Sequence, residues 1–157
     1  MTTAQPSGKP FDNDPLKSYG YQTRATHRAF DRALQRHIGH SLSNGFWYLL
    51  RVLWERDGMS QRELADEANL AESSTMLMLE SMRVAGLIRK RRDASDRRRS
   101  NVFLTARAKR LKPKLVHNAA AVNAIATRDI SQRDLDTFLR VAIRMRANLN
   151  ASTEDAS

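Results

Sequence analysis

Seven basic and two acidic side chains fall between Arg89 and Arg99, a local charge of +5. Guanidinium groups at that density grip phosphate oxygens through forked, charge-assisted hydrogen bonds, and they suit narrow duplex grooves, where negative potential concentrates. Upstream, Ser73, Ser74, Met76 and Leu77 offer hydroxyls and methyl-rich tips at spacings that the outer side of one helix presents together. Hydroxyls suit phosphates and base edges, and apolar tips suit the methyl group of thymine. Gln61 and Arg62 begin a short segment whose free backbone amides already attract anions.

Catalytic chemistry has little to stand on. His27, His37, His40 and His117 are scattered, without a His-Glu-x-x-His spacing; His37 and His40 lie at helical spacing but across Gly39, with no obvious carboxylate beside them for a metal. There is no cysteine, which excludes disulfides, thiolate metal sites and thiol redox sensing. A Gly-rich phosphate loop and a Gly-x-Ser-x-Gly elbow are both missing. The expectation is a protein that is not an enzyme and needs neither metal nor cofactor.

The candidate residues need two helices and a hairpin to hold them. Ser60, followed three residues later by Glu63, is a capping box that starts a helix. Leu64, Ala65 and Ala68 share one face of it, while Arg62, Asp66 and Glu67 turn outward. Asn69-Leu70 breaks the helix, and Glu72 to Ala85 is helical again. There Thr75, Met78, Leu79 and Met82 recur three and four apart, leaving Ser73, Ser74, Met76, Leu77 and Ser81 outside. Gly86 stands where a helix ends in the left-handed conformation. Leu87 to Arg92 then runs as a strand, Asp93 to Asp96 has turn chemistry, and Asn101 to Thr105 returns. Because strand residues alternate sides, Arg89 to Arg92 cannot all face one partner.

Helix, turn, helix and basic hairpin is the order of a winged helix-turn-helix, whose second helix enters the major groove of double-stranded DNA. On that reading Arg97, Arg98 and Arg99 contact DNA from the wing, Asp96 orients a wing arginine, and Gln61, Arg62, Ser73, Ser74, Met76 and Leu77 complete the interface.

Length and charge agree with this layout. A chain of 157 residues suits one domain with helical extensions, and a net charge of +10 favours a polyanionic partner. No apolar run is long enough for a membrane span and no signal-like segment is present, so a cytoplasmic location is expected.

The stretch from Gly39 to Leu111 resembles the MarR family of bacterial transcription regulators. Leu64-Ala65, the helix ending in Ala85-Gly86-Leu87-Ile88-Arg89, and Asp96-Arg97-Arg98 followed by Val102-Phe103-Leu104-Thr105 carry the resemblance in order and spacing. It implies a homodimer on a pseudo-palindromic operator, usually a repressor released by a small ligand. It also implies an effector pocket between the dimer helices and the DNA-binding lobe, for which Tyr19, Phe30, His37, His40, Phe46, Trp47, Leu50 and Arg51 are the candidates. Aromatic rings beside a cation suit an aromatic carboxylate or a phenol, and nothing in the sequence favours either over an acyl-CoA ester. The chain departs from the family pattern at Ala71, where a polar helix cap is common, at Leu77, where a polar or basic residue is common, and at Ala108, in place of a glycine.

The expected architecture is mostly α with a small β-hairpin wing, α+β by strict count. Residues 1–13 read as a flexible arm and 150–157 as a flexible tail. The domain of 14–149 divides into a winged lobe, 43–105, and a helical dimerisation part, 14–42 and 106–149. Asp14-Pro15 is the expected start of the first long helix, with Leu16, Tyr19, Thr23, His27, Phe30, Leu34 and Ile38 as its apolar stripe. Ser43 is the expected cap of a second helix, apolar almost all round and so central to the core. Thr105 caps a long helix in which Pro113 predicts a kink or break, and Ser131 with Asp134 opens a last helix bearing Leu135, Phe138, Leu139, Ala142, Ile143 and Met145. An architectural DNA-binding protein without an effector is the alternative reading.

Overall fold

The computed structural model describes residues 14–39, 42–92 and 100–154. The chain is mostly helical, with a small three-stranded antiparallel sheet. The elements in order are α1 (Tyr19–Ile38), α2 (Asn44–Glu55), β1 (Met59–Ser60), α3 (Gln61–Glu67), α4 (Glu72–Val84), β2 (Ile88–Arg92), β3 (Ser100–Leu104), α5 (Ala106–Ala126) and α6 (Gln132–Glu154). No helix among the described residues is long and apolar enough to cross a membrane. The fold separates into two compact units, Met1–Ala119 and Ala120–Ser157.

In the first unit, α2 supplies the centre of the core: Leu49, Leu50 and Leu53 are fully buried, with Trp47 nearly so. Leu64, Leu79, Met82, Leu87, Val102 and Leu104 complete a continuous apolar interior under the sheet and the α3–α4 pair. Burying side chains of this size contributes roughly 1.5 to 3 kcal/mol each before ordering costs are subtracted. Strand order is β1-β3-β2, with Met59 opposite Val102 and Ile88 opposite Leu104. Gly58 makes the approach to β1 possible: its φ is +83°, and a Cβ there would meet the Phe103 ring.

Several expectations are corrected. Helix α1 starts at Tyr19 with Ser18 as its cap, because the carboxylate of Asp14 accepts from the Leu16 amide at 2.9 Å and closes a separate turn over Pro15–Lys17. Leu16 and Tyr19 are therefore exposed, and the buried end of the stripe is Leu34 and Ile38. Ser43 occupies the cap position of α2 without a side-chain cap bond. Helix α5 is unbroken across Pro113. The proline sits on the exposed side, as does Lys109, whose carbonyl loses its helical partner. Helix α6 continues to Glu154, past the expected boundary at 149, and is opened by Ser131, whose hydroxyl pairs with Asp134 at 2.7 Å. The sheet has a third strand, since the two residues of β1 pair with β3 beside the expected hairpin.

Within the second unit, α6 carries Phe138, Leu139, Val141, Ile143 and Leu149 exposed.

Candidate nucleic-acid interface

The α3–α4 pair is fixed at both of its turns by backbone chemistry. The capping box at Ser60 is complete: its hydroxyl accepts from the Glu63 amide at 3.3 Å, and the Glu63 carboxylate accepts from the Ser60 amide at 2.9 Å. Asn69, with φ +53°, ends α3. The Asn69 amide donates to Asp66 and the Leu70 amide to Ala65, so the chain turns into α4 with its orphan carbonyls satisfied. At the far end Gly86, φ +67°, repeats the arrangement, with bonds from Gly86 to Arg83 and from Leu87 to Met82. Strand β2 begins one residue later, so the helix and the basic strand share a single rigid corner.

The rotation of α4 follows from its apolar period. Thr75, Leu79 and Met82 are buried and Met78 is half-buried against the N-terminal turn of α2 beside Gly45. Ser73, Ser74, Met76 and Leu77 point to solvent, with Met76 57% and Leu77 72% exposed. Ala71 caps the helix without a side-chain bond. The single arginine of α4, Arg83, is joined to Glu80 by three contacts of 2.6–3.2 Å. This pairing holds the Glu80 carboxyl below the usual carboxylate range and raises the guanidinium of Arg83.

Beside α4, Arg89 and Arg91 lie on the Phe103 side of β2, and Arg91 stacks its guanidinium 5.7 Å from the Phe103 ring centre. Lys90 lies on the other side and donates to the side-chain carbonyl of Gln61 at 3.0 Å, which ties the basic strand to the start of α3. Gln61 is half-buried and Arg62 exposed. Asp96, Arg97, Arg98 and Arg99 lie outside the described residues, as does His40.

The residues considered for an effector do not converge. Leu50 is core, Trp47 packs edge-on against Trp54 with ring centres 6.0 Å apart, and Phe30 and Phe46 are half-buried. Arg51 is exposed, as is Tyr19 at the first position of α1. His37, eighteen residues further along α1, is about 27 Å away along the helix axis and bonds its ring nitrogen to the Ala33 carbonyl at 2.9 Å.

Sequence reading missed a polar latch between α1 and α2. The Tyr48 hydroxyl donates to Asp31 at 2.8 Å, His27 lies 3.3 Å from the other carboxylate oxygen, and the Asn44 amide donates to the Asp31 carbonyl at 2.5 Å. Asn44 and Tyr48 stand 13 and 17 positions from Asp31, across two helices, a separation that no local pattern encodes. Among the described residues, no group of three or more His, Cys, Asp or Glu side chains could hold a metal ion.

Comparison with known proteins places this arrangement. Residues 42–100 match the model of the MarR family. The HTH-type transcriptional regulator TtmR of Methylorubrum extorquens (strain PA1) is 32% identical over 92 residues, 58% of this chain and 47% of TtmR. The match therefore spans about half the length of that curated relative. The transcriptional regulator PA3341 shares the fold with a TM-score of 0.75 at 29% identity, covering 85% of this chain and 99% of its own. The PcaV transcriptional regulator from Streptomyces coelicolor, in complex with its natural ligand, superposes with a TM-score of 0.80 at 20% identity, covering 87% of this chain and 97% of that one. The family model lies on the very segment that holds α3, α4 and the basic strand, so residues 42–100 are of the MarR type, and the same overall architecture recurs in these regulators.

Proposed function

We propose that the protein is a homodimeric transcription regulator that binds a palindromic operator and acts as a repressor released by a small ligand. The observation that carries this reading is the exposed outer face of α4 joined, through the Gly86 corner, to a strand of four consecutive basic residues. A rigid helix of that kind fits the major groove, and the adjoining arginines fit the backbone or the minor groove. The uncovered apolar side of α6, with Phe138 60% and Leu139 57% exposed, supports pairing with a second copy. Two-fold pairing would set two reading helices about 34 Å apart, one turn of DNA. The effector class, whether aromatic carboxylate, phenol or acyl-CoA ester, rests on the family alone.

A second reading, a sequence-tolerant architectural protein with no effector, draws on one feature. The pairing of Arg83 with Glu80 leaves α4 without an unpaired guanidinium for guanine. Footprinting on the DNA flanking the protein's own gene, at near-physiological salt and with random duplex as competitor, separates the two. Protection of a palindrome, relieved by an added aromatic acid or thioester, is expected for the regulator. Equal affinity for random duplex would overturn it.

A further inference from the structure

We propose that α4 reads thymine, through van der Waals contact of Met76 and Leu77 with the 5-methyl groups of an A·T-rich half-site, and does not use guanine as its anchor. This rests on the regulator reading above and specifies which bases that surface selects.

The case starts from what the outer face of α4 lacks. Its charged residues are Glu72, Glu80 and Arg83, a net charge of −1 in a chain carrying +10. Bidentate recognition of guanine requires one free edge of a guanidinium, or an ammonium, aimed into the groove. The Nε and Nη2 edge of Arg83 is occupied by the Glu80 carboxylate, and the residue stands about 80° round the helix from Ser73, so its remaining Nη1 end lies on the flank of the outer face and not at its centre. Lys90, on the adjoining strand, directs its ammonium to Gln61.

What the face does present is apolar surface flanked by hydroxyls. At 100° per residue, Ser73, Leu77 and Val84 fall within about 40° of one another, with Met76 to one side and Ser74 and Ser81 to the other. Met76, Leu77 and Val84 are all exposed, although each is large enough to be expected in a core. The Ser81 hydroxyl folds back onto the Leu77 carbonyl at 3.1 Å, so it is withdrawn from donating outward. Ser73 and Ser74 have no hydrogen bond from their hydroxyls among the described residues and remain able to hold a phosphate or a base edge. Among groups exposed in the major groove, the thymine methyl is the one that rewards apolar contact.

The test substitutes atoms in the DNA. A preferred site is first selected from a randomised duplex library by the full-length protein. Each thymine of its half-sites is then replaced by deoxyuridine, which removes the methyl group and leaves every hydrogen-bonding group in place. Loss of about three- to fivefold in affinity for each contacted thymine is expected, the equivalent of one methyl returned to water. Leu77→Ala should bind the thymine and deoxyuridine versions of its own contact equally; because Leu77 is exposed, this variant keeps its fold. Selective binding that is indifferent to deoxyuridine, or a selected half-site anchored on guanine, would overturn the thymine assignment and leave the regulator reading standing. Failure to select any sequence would overturn both.

Discussion

The hydroxyl of Tyr48 on α2 donates to the carboxylate of Asp31 on α1 at 2.8 Å, and burial together with that bond raises the phenol well above its ordinary titration range. Burial is the larger cause. In the unfolded chain the same phenol ionises near pH 10. The folded state therefore keeps a proton that the unfolded state gives up, and stability supplied by the phenol is fully present below about pH 10 and declines as pH rises above it. Tyr48→Phe should cost about 1.5 to 3 kcal/mol at pH 7, a hydrogen bond to a charged acceptor. Between pH 10 and 11.5 it should also flatten the alkaline decline. Urea titrations of both proteins across that range check this. Equal alkaline slopes would show that the latch is not what the high phenol range reflects.

Gly58 combines a φ of +83° with the Phe103 ring lying where a Cβ would stand. Gly58→Ala should destabilise the protein by more than about 1 kcal/mol, because the backbone must adopt a disfavoured region while β3 yields to the added methyl. Thermal melting gives the comparison, and Gly20→Ala supplies the control: a Cβ at Gly20 meets nothing within 4 Å, so that change in a helix should be neutral or stabilising.

Leu139 lies on the exposed apolar side of α6. Leu139→Glu should convert a dimer into a monomer in sedimentation velocity while helical content is kept. A variant that still sediments as a dimer would exclude this part of α6 from the interface between copies.

Arg98 belongs to the basic run that continues from β2. If it holds a phosphate, Arg98→Ala should weaken DNA binding and reduce the slope of log affinity against log salt by about one unit. Unchanged affinity and slope would remove Arg98 from the interface. A loss of selectivity with no change in slope would assign it to base edges instead.

How far the sequence reached depended on the range of the interactions. The rotation of α4 was legible, since Thr75, Met78, Leu79 and Met82 carry the period of a helix with one covered side. The box at Ser60 and Glu63 and the stop at Gly86 were legible for the same reason: each lies within one helical turn. Less was visible where partners are distant in sequence. The Lys90 bond to Gln61 spans 29 positions and that of Tyr48 to Asp31 spans 17, so neither leaves a local trace. Strand β1 is too short for an alternating pattern, and its second residue is already the cap of α3. The separation of Tyr19 and His37 along α1 follows from helical rise alone.

The Thr105 hydroxyl at the entry to α5 lies 2.8 Å from the Gly86 carbonyl and 3.1 Å from that of Leu87, while Arg107 reaches the Ala85 carbonyl at 2.8 Å. The Leu87 carbonyl also accepts from the Thr105 backbone amide at 3.0 Å, so the corner between α4 and β2 is held by Thr105 and Arg107 at the start of α5. The aim of the reading surface is set by backbone atoms and two side chains that never touch its outward face. On the proposed reading, substitutions at Ser73, Met76 or Leu77 change the vocabulary of the protein without turning its head, and a lineage carrying this joint could acquire new target sequences by altering a few exposed residues at a time.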